Sequence, residues 1–167
     1  MTRRTYRIQH LQFMSGYMTF DKNAGNTHTT IADEISARLV VTGFACDPDY
    51  ITKLLGIQPD AVWRMGDDLS FTSDRKRTDN GWTIESKVSN TVDLDAHVAA
   101  ILRVIGNAKS NFKNLPQGST IFLSCGITVN QGPGGPSIVF SPQMVAILAE
   151  LGAEIGIDIY CLNRPEA

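Results

Sequence analysis

Twice in this chain an oxygen-bearing side chain is followed by proline, a short amphipathic run and a glycine. In the first copy Asp47-Pro48 leads into Tyr50, Ile51, Leu54 and Leu55 and closes on Gly56; in the second Ser141-Pro142 leads into Val145, Leu148 and Leu151 and closes on Gly152. The chemistry is that of a helix start and stop. A carboxylate or hydroxyl at the cap accepts from first-turn amides, proline fits the first helical position because its missing N–H has no partner there, and glycine takes the left-handed turn that ends the run. Helices this short are not stable in isolation and must lay their apolar stripe on something. In both copies a β-rich run precedes the cap, Arg38 to Gly43 before the first and Ser137 to Phe140 before the second, so a sheet is the natural support. The repetition predicts a two-fold pseudo-repeat, although helix starts and stops share one chemistry and generate such likeness by themselves.

The remaining segments extend the pattern. Ala61 to Arg64 reads as a short strand ending at Gly66-Asp67-Asp68. Asp67 to Asn80, with Arg75-Lys76-Arg77 inside it, is too polar to bury itself and reads as a long exposed loop. Gly81 to Ser86 alternates, placing Trp82 and Ile84 on one face and Thr83 and Glu85 on the other. After a cap at Asp93 or Thr91, the residues Leu94, Val98, Ile101, Leu102 and Ile105 mark the longest helix, which Gly106 ends. Ile121 to Val129 is the strongest strand; Gly132-Pro133-Gly134-Gly135-Pro136 turns it into a further strand, Ser137 to Phe140. In Ile157 to Cys161 the apolar residues share one face, with Asp158 and Tyr160 opposite. The order strand-helix-strand-strand-helix-strand, followed by strand-helix-strand, predicts an α+β two-layer sandwich: a mixed or antiparallel sheet with three helices mainly on one face, ferredoxin-like in character.

Length sets the domain count. A chain of 167 residues is one domain's worth, and surface scaling for its size lets it bury roughly 70% of its extended area in a single core. Residues 1–34 form an N-terminal arm: Tyr6 to Phe20 is rich in aromatic and apolar residues without helical period, and Asp21 to Thr30 is a polar connection. Residues 35–167 form the single α+β domain. With 15 Lys+Arg against 17 Asp+Glu the net charge is −2, which argues against nucleic acid as a partner. No apolar run is long enough for a membrane span, and the basic start lacks a clean apolar region behind it. Cys46, Cys125 and Cys161 are widely spaced and odd in number, so reduced and mostly buried thiols in a cytoplasmic protein are expected.

Taken together, Leu39 to Gly43, Asp47-Pro48, Ile51 to Ile57, Pro59, Trp63, Gly66, Gly81-Trp82, Leu148 to Gly152 and Ile157 to Tyr160 resemble, in order and spacing, the family catalogued as domain of unknown function 4279. The resemblance runs from about Ile35 to Leu162. It implies a compact bacterial α/β domain and brings with it no reaction, ligand or catalytic residue. Small bacterial families of this kind include immunity proteins that bind toxins, which is an analogy only; a protein partner, bound through the open sheet face or the loop from Asp67 to Asn80, is expected from a well-made core without a catalytic constellation, that long polar loop and the apolar N-terminal arm.

Chemical motifs are sparse. The glycines of 132–136 lack the lysine of a phosphate loop, and two prolines remove donors; His10, His28 and His97 have no metal-ligand spacing. His97 is expected at the surface or a boundary, and Arg75 to Arg77, flanked by Asp74 and Asp79, in a solvated loop. Cofactors and metals are therefore not expected. The candidate binding surface is Trp63, Arg64, Asp67, Trp82, Asp158 and Tyr160: aromatic area beside the charged loop, plus a carboxylate in an apolar strand for which Arg64 is a possible partner. Against this stands the reading in which both tryptophans fill the core and Asp158 pairs locally. The expected function is a non-enzymatic module that binds another protein or a second copy of itself. The alternative is a small-molecule binder or enzyme using an Arg64, Asp158 and Tyr160 pocket.

Overall fold

A computed structural model of the chain describes residues 34–70, 73–90, 93–130 and 138–162. Of the expected arm, 1–34, only Glu34 is among the described residues, and the glycine-proline turn, 132–136, lies outside them. Among the described residues there are seven strands: β1 (Glu34–Thr42), β2 (Ala61–Trp63), β3 (Asp68–Ser70), β4 (Ser73–Lys76), β5 (Gly81–Glu85), β6 (Thr120–Asn130) and β7 (Glu154–Leu162). The helices are α1 (Pro48–Leu55), α2 (Leu94–Ile105) and α3 (Pro142–Leu151), with a 3-10 helix at Gly106–Asn114 directly after α2.

The two cap-and-proline units fold as their chemistry dictates. Asp47 accepts from the Asp49 amide at 2.9 Å and Ser141 from the Met144 amide at 3.3 Å, while Gly56 and Gly152 both adopt φ 66° in the left-handed region. The five-stranded sheet has the order β2-β5-β1-β6-β7, all neighbours antiparallel except the parallel pair β6 and β7. Its first four strands interleave two split βαβ units in the ferredoxin-like manner, β5 lying between β1 and β2, and β1 between β5 and β6. The unit β6-α3-β7 then adds one parallel strand at the edge. The fold is α+β, with helices packed on one face of a mixed sheet.

Alternation decides what each face carries. Leu39, Val41, Trp82, Ile84, Leu123, Cys125 and Ile127 point into the helix layer, where they meet Ile51 and Leu55 of α1, Leu94, Val98, Ile101 and Ile105 of α2, and Leu148 and Leu151 of α3. Trp82 is fully buried there and donates its indole N–H to Thr52 Oγ1 at 3.1 Å, tying β5 to α1. No helix among the described residues is long and apolar enough to cross a membrane.

Several expectations need correction. The segment 67–80 is a two-stranded hairpin, β3 against β4, not a plain loop. Backbone pairing needs no apolar side chains: Gly66 donates to Arg77 O at 2.9 Å, Arg77 to Asp67 O at 2.8 Å, and Asp68 faces Lys76 as an ion pair. Residues 138–140, the described part of the expected strand Ser137 to Phe140, form no strand. In α3, Val145 faces solvent; the stripe that packs is Met144, Ile147, Leu148 and Leu151. His97 is not at the surface but 1% exposed, because it lies three residues after Leu94 on the packed side of α2, with Nδ1 2.5 Å from Ser86 Oγ. Of the cysteines only Cys125 is buried; Cys161, on an edge strand, is exposed.

Candidate functional site

The face of the sheet opposite the helices carries the even-numbered residues of β1, β6 and β7 and the odd-numbered ones of β2 and β5. Across its middle, Glu85, Arg38, Ser124 and Gly156 lie in one row, and Ser36, Gly126 and Asp158 in the next. Serine and glycine on β6 leave room between β1 and β7, and across that gap Arg38 feels the charges of Asp158 and Tyr160 as well as that of its neighbour Glu85. Burial pulls Arg38 below the usual guanidinium value, and these groups act in the opposite direction. A half-buried arginine held among acids is a directional group, since its donors are fixed by the strand that bears it.

Two aromatic rings press on glycines of this face. Trp63 lies over Gly81 so closely that a Cβ there would meet the indole at 2.0 Å, and the tip of the Phe122 ring abuts Gly156, where a Cβ would meet Cζ at 2.3 Å. Both glycines are needed for the approach of a neighbouring ring, not for an unusual backbone angle. Above Trp63 the Arg77 guanidinium is 4.5 Å from the ring centroid. Burial lowers Arg77 from its ordinary value; Asp79 and Asp67 oppose this, while Arg38 is close enough to add to it.

This places the expected site residues in three locations. Trp63, Asp158 and Tyr160 share the helix-free face. Trp82 does not: it pairs with Val62 and points into the core, because tryptophans at 63 and 82 fall on opposite sides of paired strands. Arg64 and Asp67 lie just beyond β2, Arg64 bonded through Nε and one terminal nitrogen to Asp47 at 2.9–3.1 Å and Asp67 accepting from the Arg64 amide at 2.7 Å. Arg64 is therefore not the partner of Asp158. Their strands are the two outer ones of the sheet, four spacings or roughly 19 Å apart, so no Arg64, Asp158 and Tyr160 pocket forms. The Asp47 carboxyl is held below its usual value, first by the Asp49 amide and then by Arg64, and Arg64 is raised in turn.

The sequence reading missed Arg38, Glu85, Phe122 and Arg77 as members of this face. A lone arginine between Ala37 and Leu39 in an apolar run was the available signal for the first. It also missed Asn80, whose amide nitrogen donates to the carbonyls of Phe44 (3.2 Å) and Cys46 (2.9 Å) while its oxygen accepts from the Met65 amide (2.8 Å), fastening the hairpin to the sheet.

Among the described residues, one cleft of about 280 Å³ is lined by Phe112, Leu115, Ser119 and Leu151 and another of about 410 Å³ by Asp60, Glu85, Lys87, Ala100 and Arg103; neither includes an expected site residue, and Glu85 of the second also stands in the row of Arg38. Among the described residues no three His, Cys, Asp or Glu side chains converge as a metal site would require. A family model described as Domain of unknown function (DUF4279) matches residues 33–162. No curated protein and no solved structure matches the chain.

Proposed function

The chain belongs to the DUF4279 family, and for this member we propose a non-enzymatic protein-interaction module whose binding surface is the helix-free face of the sheet. The observation that carries the reading is the composition of that face. Trp63 and Phe122 supply rigid aromatic area at low entropy cost, Arg38 and Arg77 supply directional donors, and Glu85, Asp158 and Tyr160 supply a polar border. Aromatic residues and arginine are the types enriched at protein interfaces, and residues that dominate binding energy are drawn from them. A sheet bearing these groups on fixed strands presents them with little reorganisation.

The partner in this reading is another protein, with toxin binding as the family analogy. Site-specific photo-crosslinking in native cells tests it. A photoreactive side chain at position 160, on the helix-free face, should yield one defined protein adduct, and the same group at position 50, exposed on α1, should not. Adducts of equal yield from both positions, or none from position 160, would remove the reading.

A further inference from the structure

The two edges of the large sheet are built differently. At one end of the order β2 has three residues; at the other β7 has nine, pairs with β6 in unbroken register from Glu154 to Leu162, and has no described strand along its outer side. An open strand of this length presents a row of unpaired N–H and C=O groups, and sheets ordinarily blunt such an edge with proline, lysine or a bulge. β7 contains no proline, lysine or arginine and no bulge. Its side chains are uncovered as well. Ile155 and Ile159, whose β6 partners Leu123 and Ile127 are fully buried beneath the helices, remain 43% and 55% exposed, and Cys161 beyond them is exposed too. The helix layer thins out over β7, leaving apolar side chains and open backbone on the same strand.

We propose that this edge joins a second copy of the chain, β7 pairing antiparallel with β7 about a two-fold axis between the two copies of Ile157, so that two five-stranded sheets become one continuous sheet. A two-fold contact must be self-complementary, and residues opposite one another in an antiparallel pair share a face, so the axis has to lie between two copies of one residue. Side-chain chemistry chooses which. An axis at Asp158 would set that carboxylate against its own copy, and one at Gly156 would set Glu154 against the partner's Asp158; like charges directly opposite are destabilising. An axis at Ile159 confines the pairing to Gly156 through Leu162 and leaves Ile155 outside it. At Ile157, Ile155 lies opposite the partner's Ile159, Gly156 opposite the partner's Asp158 and Glu154 opposite the partner's Tyr160, so each copy covers the two exposed isoleucines of the other and no like charges meet. The apolar face of Ile155, Ile157 and Ile159 reads the same in both directions, which pairing with itself requires and pairing with a foreign strand does not.

Sedimentation velocity on the full chain should show a concentration-dependent dimer. Ile159→Lys, at an exposed position, should give a monomer with an unchanged urea midpoint, whereas Val104→Lys, comparably exposed on α2, should leave the dimer intact. Register is read by double electron–electron resonance between nitroxides on the exposed Cys161, with Cys46→Ser removing the other accessible thiol. With the axis at Ile157 the two copies of position 161 stand about eight residues apart along the paired strands, so a separation of about 27 Å is expected, against about 20 Å for an axis at Asp158. A monomer at every concentration, a dimer that survives Ile159→Lys, or a separation near 20 Å would overturn the proposal. A monomer whose outward β7 amides resist hydrogen exchange would overturn it in favour of residues 1–33 of the same chain as the occupant. The crosslinking experiment is read independently: a monomer with a foreign adduct at position 160 discards the edge and keeps the interaction face, and a dimer without a foreign adduct does the reverse.

Discussion

Trp63 lies flat on Gly81, with the Arg77 guanidinium 4.5 Å above the centre of its ring. The glycine is therefore a packing surface, and the arrangement joins the last residue of β2, the first of β5 and the residue after β4 in a single column.

Gly81→Ala places a methyl 2.0 Å from indole carbons, so the ring must swing away and surrender the Arg77 contact. A loss of about 1–3 kcal/mol is expected from such overpacking. Urea denaturation measures the loss, and acrylamide quenching should rise as Trp63 is exposed. Unchanged midpoint and quenching would contradict the column.

The Asp47 carboxyl should titrate below its ordinary value of 3.8, because the Asp49 amide and then Arg64 both favour the ionised form. With the folded value depressed, the stabilisation exists above the unfolded value and is lost as pH falls through the folded one. Carbon-detected NMR titration should show Arg64→Gln moving Asp47 part of the way back, the remainder persisting through the Asp49 amide. Full return would mean that the helix cap contributes nothing.

His97 should make the domain less stable in mild acid. Burial lowers its value from 6.5, partly opposed by a Ser89 backbone bond, so near that pH the unfolded chain takes up a proton that the folded one refuses. Stability then falls as pH drops through 6.5 and levels off below the folded value. His97→Gln, compared with the parent by denaturant midpoints from pH 7.5 to 5, should flatten this part of the curve. Parallel curves for the two proteins would count against a neutral buried histidine.

Thiol reactivity should follow burial. Cys161 is exposed and should be alkylated by iodoacetamide in the native state. Cys125, fully buried with its thiol pushed up to about 12 by burial and then by the nearby Asp158, should stay unmodified until the protein unfolds. Mass spectrometry of native and urea-treated protein distinguishes them, and native labelling of Cys125 would be inconsistent with the packing of β6.

The helices and the main strands were legible because their signals are local. A cap, a proline, an apolar stripe and a glycine occupy about ten consecutive residues, and period-two alternation occupies five. The hairpin of β3 and β4 was not legible, since its Asp68 and Lys76 pairing and its backbone bonds leave no apolar alternation to read. His97 was misplaced because its side-chain chemistry was weighed above its spacing from Leu94. For the candidate surface the limit was register. That Trp63 and Trp82 face opposite ways, and that Arg64 and Asp158 stand at opposite edges, follows from which strands pair, and pairing of β1 with β5 and β6 is decided across the whole chain. Arg77 looked like one more charge in a polar run; only its place above an indole gives it a role.

The central position of β1 sets an order of events at the ribosome. Of the described strands it is synthesised first, yet both of its neighbours arrive later: Leu39 must wait for Ile84 on one side and for Leu123 on the other. A nascent chain from which β5 has emerged but β6 has not holds β1 with one edge unpaired, so closure of the sheet waits for β6, with few local contacts to hasten it. Chaperone occupancy during synthesis should accordingly be governed by the delay between β1 and β6.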